Sequence, residues 1–211
     1  MQVQRVPVTI YSESTPNPTV MKFVANRLLL EGDAIEFKNI EEAKHSPLAY
    51  QLFHFPFVRE VFISGNFVAI AKFDVIDWSE VTAELREFIR NWVHEGRNIL
   101  ESRPEPALAE AKETEGQKTS AAAHVLPDLE TLGEVEKRIV DIIEEYVTPA
   151  VNADGGYIRF MGYDQNKVVK VLLQGACSGC PSSTATLKQG IKNLLQKMLP
   201  TLVADVEAIN G

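Results

Sequence analysis

Cysteine is almost missing from this chain: Cys177 and Cys180 are the only two in 211 residues. Zinc and cubane iron–sulfur sites usually take four ligands. Two thiolates are half of that set, so a site of this kind needs a second chain, a second protein or an external thiol. The alternative is a pair that binds no metal and does dithiol–disulfide chemistry. Basic clusters are absent as well. The formal net charge is −8, with Lys and Arg scattered, which argues against nucleic acid, since phosphate binding needs a basic face. No apolar run approaches the roughly 20 residues of a membrane-spanning helix. The first residues, MQVQRVPVTIYSES, hold neither a signal-peptide core nor an Arg/Ser-rich amphipathic pattern. The expectation is a cytoplasmic protein with no nucleic-acid or membrane partner. In that setting a CxxC pair is metal-binding or redox-active rather than a structural disulfide.

Histidine offers no second ligand set. His45, His54, His94 and His124 all precede the cysteines and lack metal-ligand spacing. Ser12, Ser14 and Thr15 form no compact nucleophile–base signature with them. There is no internal repeat.

The chain is 45% hydrophobic and 24% charged, a composition that lets it fold as a globular protein. Residues 101–124 break that balance: they carry prolines and charges, no aromatic, and Leu108 as the single large aliphatic. Such a segment cannot bury enough apolar surface to offset its ordering entropy. The expected organisation is therefore two small domains, 6–100 and 127–211, with a mobile linker over 101–126.

The first domain reads as α/β. Residues 6–13 and 19–26 predict strands around Thr15-Pro16-Asn17-Pro18, with another short one over 34–37. Residues 46–55 predict a helix with Ser46 as N-cap and Pro47 at its first position. Residues 58–64 and 67–73 flank Gly65-Asn66, a hairpin signal. Asp77 and Glu80 suggest a capping box for a helix to about Ile99, with Val81, Leu85, Ile89 and Trp92 on one face. Phe53, Phe55, Phe57, Phe62, Phe67 and Phe73 are expected in the core.

The second domain predicts an α-β-β-α-β order around a small sheet, so the whole chain is of the α/β (α+β) class. A helix capped by Asp128 is expected to stop at Pro149, near Val147, with Glu134, Asp141, Glu144 and Glu145 on a solvated face. Asp154-Gly155-Gly156 makes a turn, or an element beside the cysteines. Strands over 157–163 and 167–174 form a hairpin. A helix from Pro181 to Pro200 and a strand over 203–209 complete the order. Cys177 then leaves a strand end and Cys180 sits at a helix start. Free amide groups and the helix dipole favour thiolate there, which predicts a depressed pKa. Gly175 and Gly179 leave room for sulfide, and Ser178, Ser182 and Ser183 offer donors to sulfur.

The run GACSGCPSS at 175–183, preceded by Asp154-Gly155-Gly156 and followed by Thr186-Leu187-Lys188 and Gly190-Ile191, resembles the C-terminal domain of NifU-type proteins. These are the Nfu scaffolds and carriers of iron–sulfur clusters. STPNP at 14–18, SPLAYQLF at 46–53, GNFVAIAKF at 65–73 and Asp77-Trp78 resemble the Nfu N-terminal domain. The resemblance implies that Cys177 and Cys180 from each of two chains bridge one [4Fe–4S] cluster in a homodimer formed through the C-terminal domain. It implies a carrier rather than an enzyme. Upstream scaffolds or carriers would be its donors, apo iron–sulfur proteins its recipients, and the N-terminal domain its docking module. One departure stands out: the family commonly follows Asp-Gly-Gly with an acidic residue, and here Tyr157 follows. Two other readings use the same thiols, a thiol–disulfide oxidoreductase and a zinc-linked structural dimer.

Overall fold

The computed structural model describes residues 7–102, 132–177 and 181–210. The fold is α+β, with one five-stranded and one three-stranded sheet among the described residues. The linker expected over 101–126 lies outside them, apart from residues 101 and 102.

In the first sheet, β1 (Ile10–Ser14) and β2 (Val20–Ala25) are antiparallel. The connection between them is fixed by Thr15, whose Oγ1 reaches the carbonyls of Asn17 (2.9 Å) and Val20 (3.1 Å). β4 (Val58–Ser64) and β5 (Phe67–Lys72) form the hairpin announced by Gly65-Asn66, with Gly65 at φ +49°. The short β3 (Ile35–Phe37) lies at one edge, giving the order β1-β2-β5-β4-β3, antiparallel throughout.

One face of this sheet packs on α1 (Pro47–Leu52) and α2 (Trp78–His94). Phe23, Phe37, Leu48, Leu52, Ile63, Ile70, Leu85 and Ile89 are fully buried there. Ser46 caps α1 as expected: its Oγ accepts from the Ala49 N–H and donates to the Ile99 carbonyl at 2.6 Å. Two expectations about α2 need correction. Asp77 is the N-cap residue but makes no side-chain cap hydrogen bond, so no capping box forms. The helix also ends at His94, because Gly96 takes φ +69° just beyond it. Of the phenylalanines expected inside, Phe57, Phe62 and Phe67 are buried, Phe53 and Phe55 pack at the core margin, and Phe73 is exposed.

The second part opens with α3 (Glu134–Ile142). Its N-cap is Gly133, whose N–H donates to the Glu136 carboxylate (2.8 Å). The Asp128 cap falls outside the described residues. Pro149 does not stop the helix. A π-helical turn, Ile143–Val147, follows α3, and α4 (Thr148–Ala153) continues. The wide turn ends the regular ladder, so Pro149 falls in the first turn of α4, where its missing N–H costs little. Glu134, Asp141, Glu144 and Glu145 are exposed, as expected.

β6 (Gly156–Tyr163) and β7 (Val168–Gly175) are antiparallel, with Gly156 opposite Gly175. α5 (Pro181–Met198) crosses over to β8 (Asp205–Asn210), which pairs parallel with β7. A separate core of Ile139, Val151, Ile158, Val171, Leu173, Ile191, Leu195 and Val206 lies between this sheet and its helices. A third cluster joins the two halves: Val20, Val24, Phe62, Phe67, Ala69 and Ala71 on the outer face of the first sheet meet Ala176, with Tyr157 packed against them.

Candidate functional site

Cys177 follows β7 directly, as the sequence predicts, and its backbone carbonyl accepts from Thr184 Oγ1 in the first turns of α5 (2.9 Å). The strand end and the helix start are thereby tied together across the cysteine loop. Cys180 lies outside the described residues, so the geometry of the site is the geometry around Cys177.

The wall facing Cys177 is the start of β6. A Cβ placed on Gly156 would lie 2.5 Å from Cys177 Sγ and 3.0 Å from its Cβ. Only glycine lets the strand come this close to the sulfur. Gly155 before it takes φ +77°, and its carbonyl accepts from the Ala176 N–H at 3.2 Å. Both readings of Asp154-Gly155-Gly156 therefore apply: it is a turn requiring positive φ, and it shapes the space beside the cysteine. Gly175 is equally constrained, at φ +69°, where a Cβ would sit 2.7 Å from the Gly155 carbonyl oxygen and 3.1 Å from the Phe62 ring.

Cys177 is 6% exposed and packs within the core of the second sheet. Burial pushes its thiol up to about 11, and the nearby Asp154 carboxylate adds to the rise. The depressed pKa expected for the cysteine pair is thus corrected at Cys177. The amide donors and dipole of α5 act within its first turn, whereas Cys177 is still in the strand-end environment, where desolvation of the charged form prevails.

Sequence reasoning missed the residues that surround the loop from the other sheet. Glu36 Oε1 accepts from the Gly175 N–H (2.9 Å), and Asn17 Nδ2 reaches the Ala176 carbonyl (3.5 Å). Lys22 Nζ donates to the Ala153 carbonyl at 3.2 Å, stands 3.2 Å from Glu13, and lies over the Phe67 ring. Asp33 receives both the Tyr157 hydroxyl (3.1 Å) and the Arg159 guanidinium (2.9 Å). A signal for this was present: residues 67–72 are apolar on both alternating faces up to Lys72, the pattern of a strand covered on two sides, and every one of them is buried.

The described histidines make local contacts. His45 Nδ1 pairs with Ser102 Oγ and His54 Nδ1 with the Tyr50 carbonyl; His124 is outside the described residues. Among the described residues no group of three or more His, Cys, Asp or Glu side chains is placed to hold a metal ion. Thr15, weighed as a nucleophile, spends its hydroxyl on the turn after β1.

Two protein-family models match this chain. The scaffold protein Nfu/NifU N-terminal domain matches residues 10–96, and the NifU-like domain matches residues 139–207. The chain belongs to the Nfu/NifU family. Among its relatives, the NifU-like protein 4, mitochondrial, of Arabidopsis thaliana is 34% identical over 194 residues, covering 91% of this chain and 63% of the relative. The NFU1 iron-sulfur cluster scaffold homolog, mitochondrial, of Drosophila willistoni is 35% identical over 201 residues, covering 95% and 63%. This chain thus spans just under two thirds of the length of either. The solution NMR structure of a NifU-like protein from Saccharomyces cerevisiae aligns at 27% identity and a TM-score of 0.43, over 49% of this chain and 92% of that one.

These relatives overturn the cytoplasmic expectation, since both are named as mitochondrial proteins. The expectation rested on cysteine usage and on the first residues of this chain. Free thiols report a reducing environment, which does not single out one compartment.

Proposed function

We propose that this chain is an iron–sulfur cluster scaffold or carrier. Cys177 and Cys180 of two chains supply four thiolates to one [4Fe–4S] cluster, which is then passed to apo iron–sulfur proteins. The observation that carries the reading is Cys177 itself, at the mouth of a strand–loop–helix junction, facing a strand whose Gly156 leaves the sulfur no Cβ to meet. A chain with two cysteines provides half the usual cubane ligand set, which makes a homodimer through the second sheet's domain the economical way to complete it. Two family members' names and both family models support the scaffold role. The cluster is cargo, and a carrier of this kind has no turnover of its own. Donors are upstream scaffolds or carriers, and the domain of residues 6–100 is the module that meets partners. Linking it to the cluster domain raises the local concentration of cargo at a recipient.

The test is anaerobic reconstitution with iron and sulfide, read by visible absorption, by metal content and by sedimentation. The wild-type chain should hold about four irons per dimer. Cys177→Ala and Cys180→Ala should remain folded and hold none. A single-cysteine variant with a normal cubane spectrum sinks the assignment, as does a cluster-loaded monomer without added thiol. Zinc content in place of iron would favour the structural-dimer reading.

A further inference from the structure

The residues leading into the cysteine loop are not presented to solvent: Gly175 and Ala176 lie against the outer face of the first sheet. We propose that the outer face of the first sheet is an intramolecular receptor for the cysteine-loop end of the second sheet. It holds the cluster-free chain closed, and the loop must leave that face before a second copy can share a cluster with it. The last clause rests on the bridged-cluster reading above; the docking itself does not.

The contact is built from three kinds of interaction at one place. An apolar seat of Val20, Phe62, Phe67 and Ala71 receives Ala176, which is 3% exposed, one residue before the candidate ligand Cys177. The backbone polar groups of the same segment are met by side chains of the first sheet. The Gly175 N–H goes to Glu36, the Ala176 carbonyl to Asn17, and the Ala153 carbonyl, at the end of α4, to the Lys22 ammonium. The Lys22 ammonium, paired with Glu13 on its own sheet and seated over Phe67, adds the Ala153 carbonyl as a further acceptor from the other half of the chain. At the rim, Asp33 gathers Tyr157 and Arg159. The Tyr157 hydroxyl donates to Asp33, where a carboxylate at the same position would meet it with like charge.

Two cysteine loops that ligate one cubane must come within a cluster's width of each other. The first sheet occupies the flank of each loop, so bridging and docking compete. Release has a second consequence: the seat of Val20, Val24, Phe62, Phe67, Ala69 and Ala71 becomes an exposed apolar surface, available to a recipient only from the cluster-holding state.

Amide hydrogen exchange in the full-length, cluster-free chain tests the docking without any metal. The Gly175 N–H, bonded to Glu36, should be protected at low protein concentration. Asp33→Arg sets two guanidinium groups against each other at a surface loop, and should speed exchange at Gly175 by about tenfold or more, while Ala176, bonded to the Gly155 carbonyl, should change less. The charge-reversed pair Asp33→Arg with Arg159→Asp should restore the slow rate, which a merely damaged fold would not do. Unchanged exchange in Asp33→Arg, or failure of the reversed pair to restore it, overturns the proposal. So does protection that appears only as concentration rises, which would assign the contact to a second copy. In a cluster-loaded dimer, exchange at Gly175 should match Asp33→Arg; retained protection there would overturn the competition. A chain that takes up no cluster at all would instead sink the cluster reading, while the cluster-free comparison still decides the docking.

Discussion

Replacing Gly156 by alanine adds one methyl group at the point where β6 faces Cys177. That carbon would sit 2.5 Å from Sγ, 3.0 Å from the cysteine Cβ and 3.1 Å from the Gln174 carbonyl oxygen. Ordinary carbon contacts lie near 3.5–4.0 Å, so the overlap with sulfur is about 1 Å. Cys177 is buried and held on its far side by the core of the second sheet, which leaves the sulfur little room to retreat. The backbone at Gly156 is not in the left-handed region, so alanine meets steric overlap rather than dihedral strain. Overpacking of this kind costs about 1–3 kcal/mol. Urea unfolding followed by far-ultraviolet circular dichroism should show that loss in the unit containing β6 to β8. Adding Cys177→Ala removes the worst overlap, so the double variant should be more stable than the two single losses sum to, by about 1 kcal/mol. An additive cycle, or a Gly156→Ala protein as stable as wild type, would refute the claim that the sulfur lies against this strand. Gly155→Ala makes a useful contrast. Its φ of +77° is penalised whatever Cys177 does, so its cost should not be relieved by Cys177→Ala.

Burial, followed by the charge of Asp33, pushes the Tyr157 hydroxyl up to about 12. Its folded pKa stands above the ordinary value of 10, so the stability it contributes is present below pH 10 and is lost as pH rises through 12. Difference absorption of wild type against Tyr157→Phe should resolve that late ionisation, and a Tyr157 titrating near 10 would count against its burial beside Asp33. Ser46→Ala deletes both the α1 cap and the bond to the Ile99 carbonyl, and should cost about 1–2 kcal/mol. Denaturant titration followed by tryptophan emission reads this directly, because Trp78 and Trp92 both lie on α2; a loss below about 0.3 kcal/mol would argue against the cap. Lys22→Met removes the donor to the Ala153 carbonyl while keeping most of the side-chain volume. Exchange at the last amides of α4 should accelerate, whereas the first sheet's own amides should not; a uniform change across both sheets would contradict the assigned role.

Local features of the sequence carried most of the secondary structure. Alternation gave the strands, Gly65-Asn66 the hairpin and Ser46-Pro47 the start of α1, because each depends on residues a few positions apart. The failures have the same root seen from the other side. Pro149 reads as a stop only if the preceding helix keeps its regular hydrogen-bond ladder, and the π-helical turn at Ile143–Val147 removes that condition. Asp77 and Glu80 carry the right letters for a capping box, yet Asp77 makes no cap bond. Of the candidate site, the position of Cys177 at a strand end was legible from spacing. Its raised pKa was not, since that follows from burial, and burial follows from the fold. The pairing of Asp33 with Arg159 spans 126 positions and leaves no local trace.

The parallel pairing of β7 with β8 also sets the order in which the cysteine loop comes to rest. β6 and β7 are joined by a tight turn and can zip within microseconds. β8 must wait for α5 to form and pack, because a parallel neighbour is reached only by a crossover, and such non-local closures are slow. The crossover begins just beyond Cys177, so the surroundings of that residue are complete only when the last strand docks. A newly made chain passes through an interval in which the Cys177 thiol, buried in the finished fold, is open to oxidants and to stray metal ions. Substitutions in β8, which pairs with Val168–Leu173 rather than with Cys177, should lengthen that interval and lower the yield of reduced, metal-free protein.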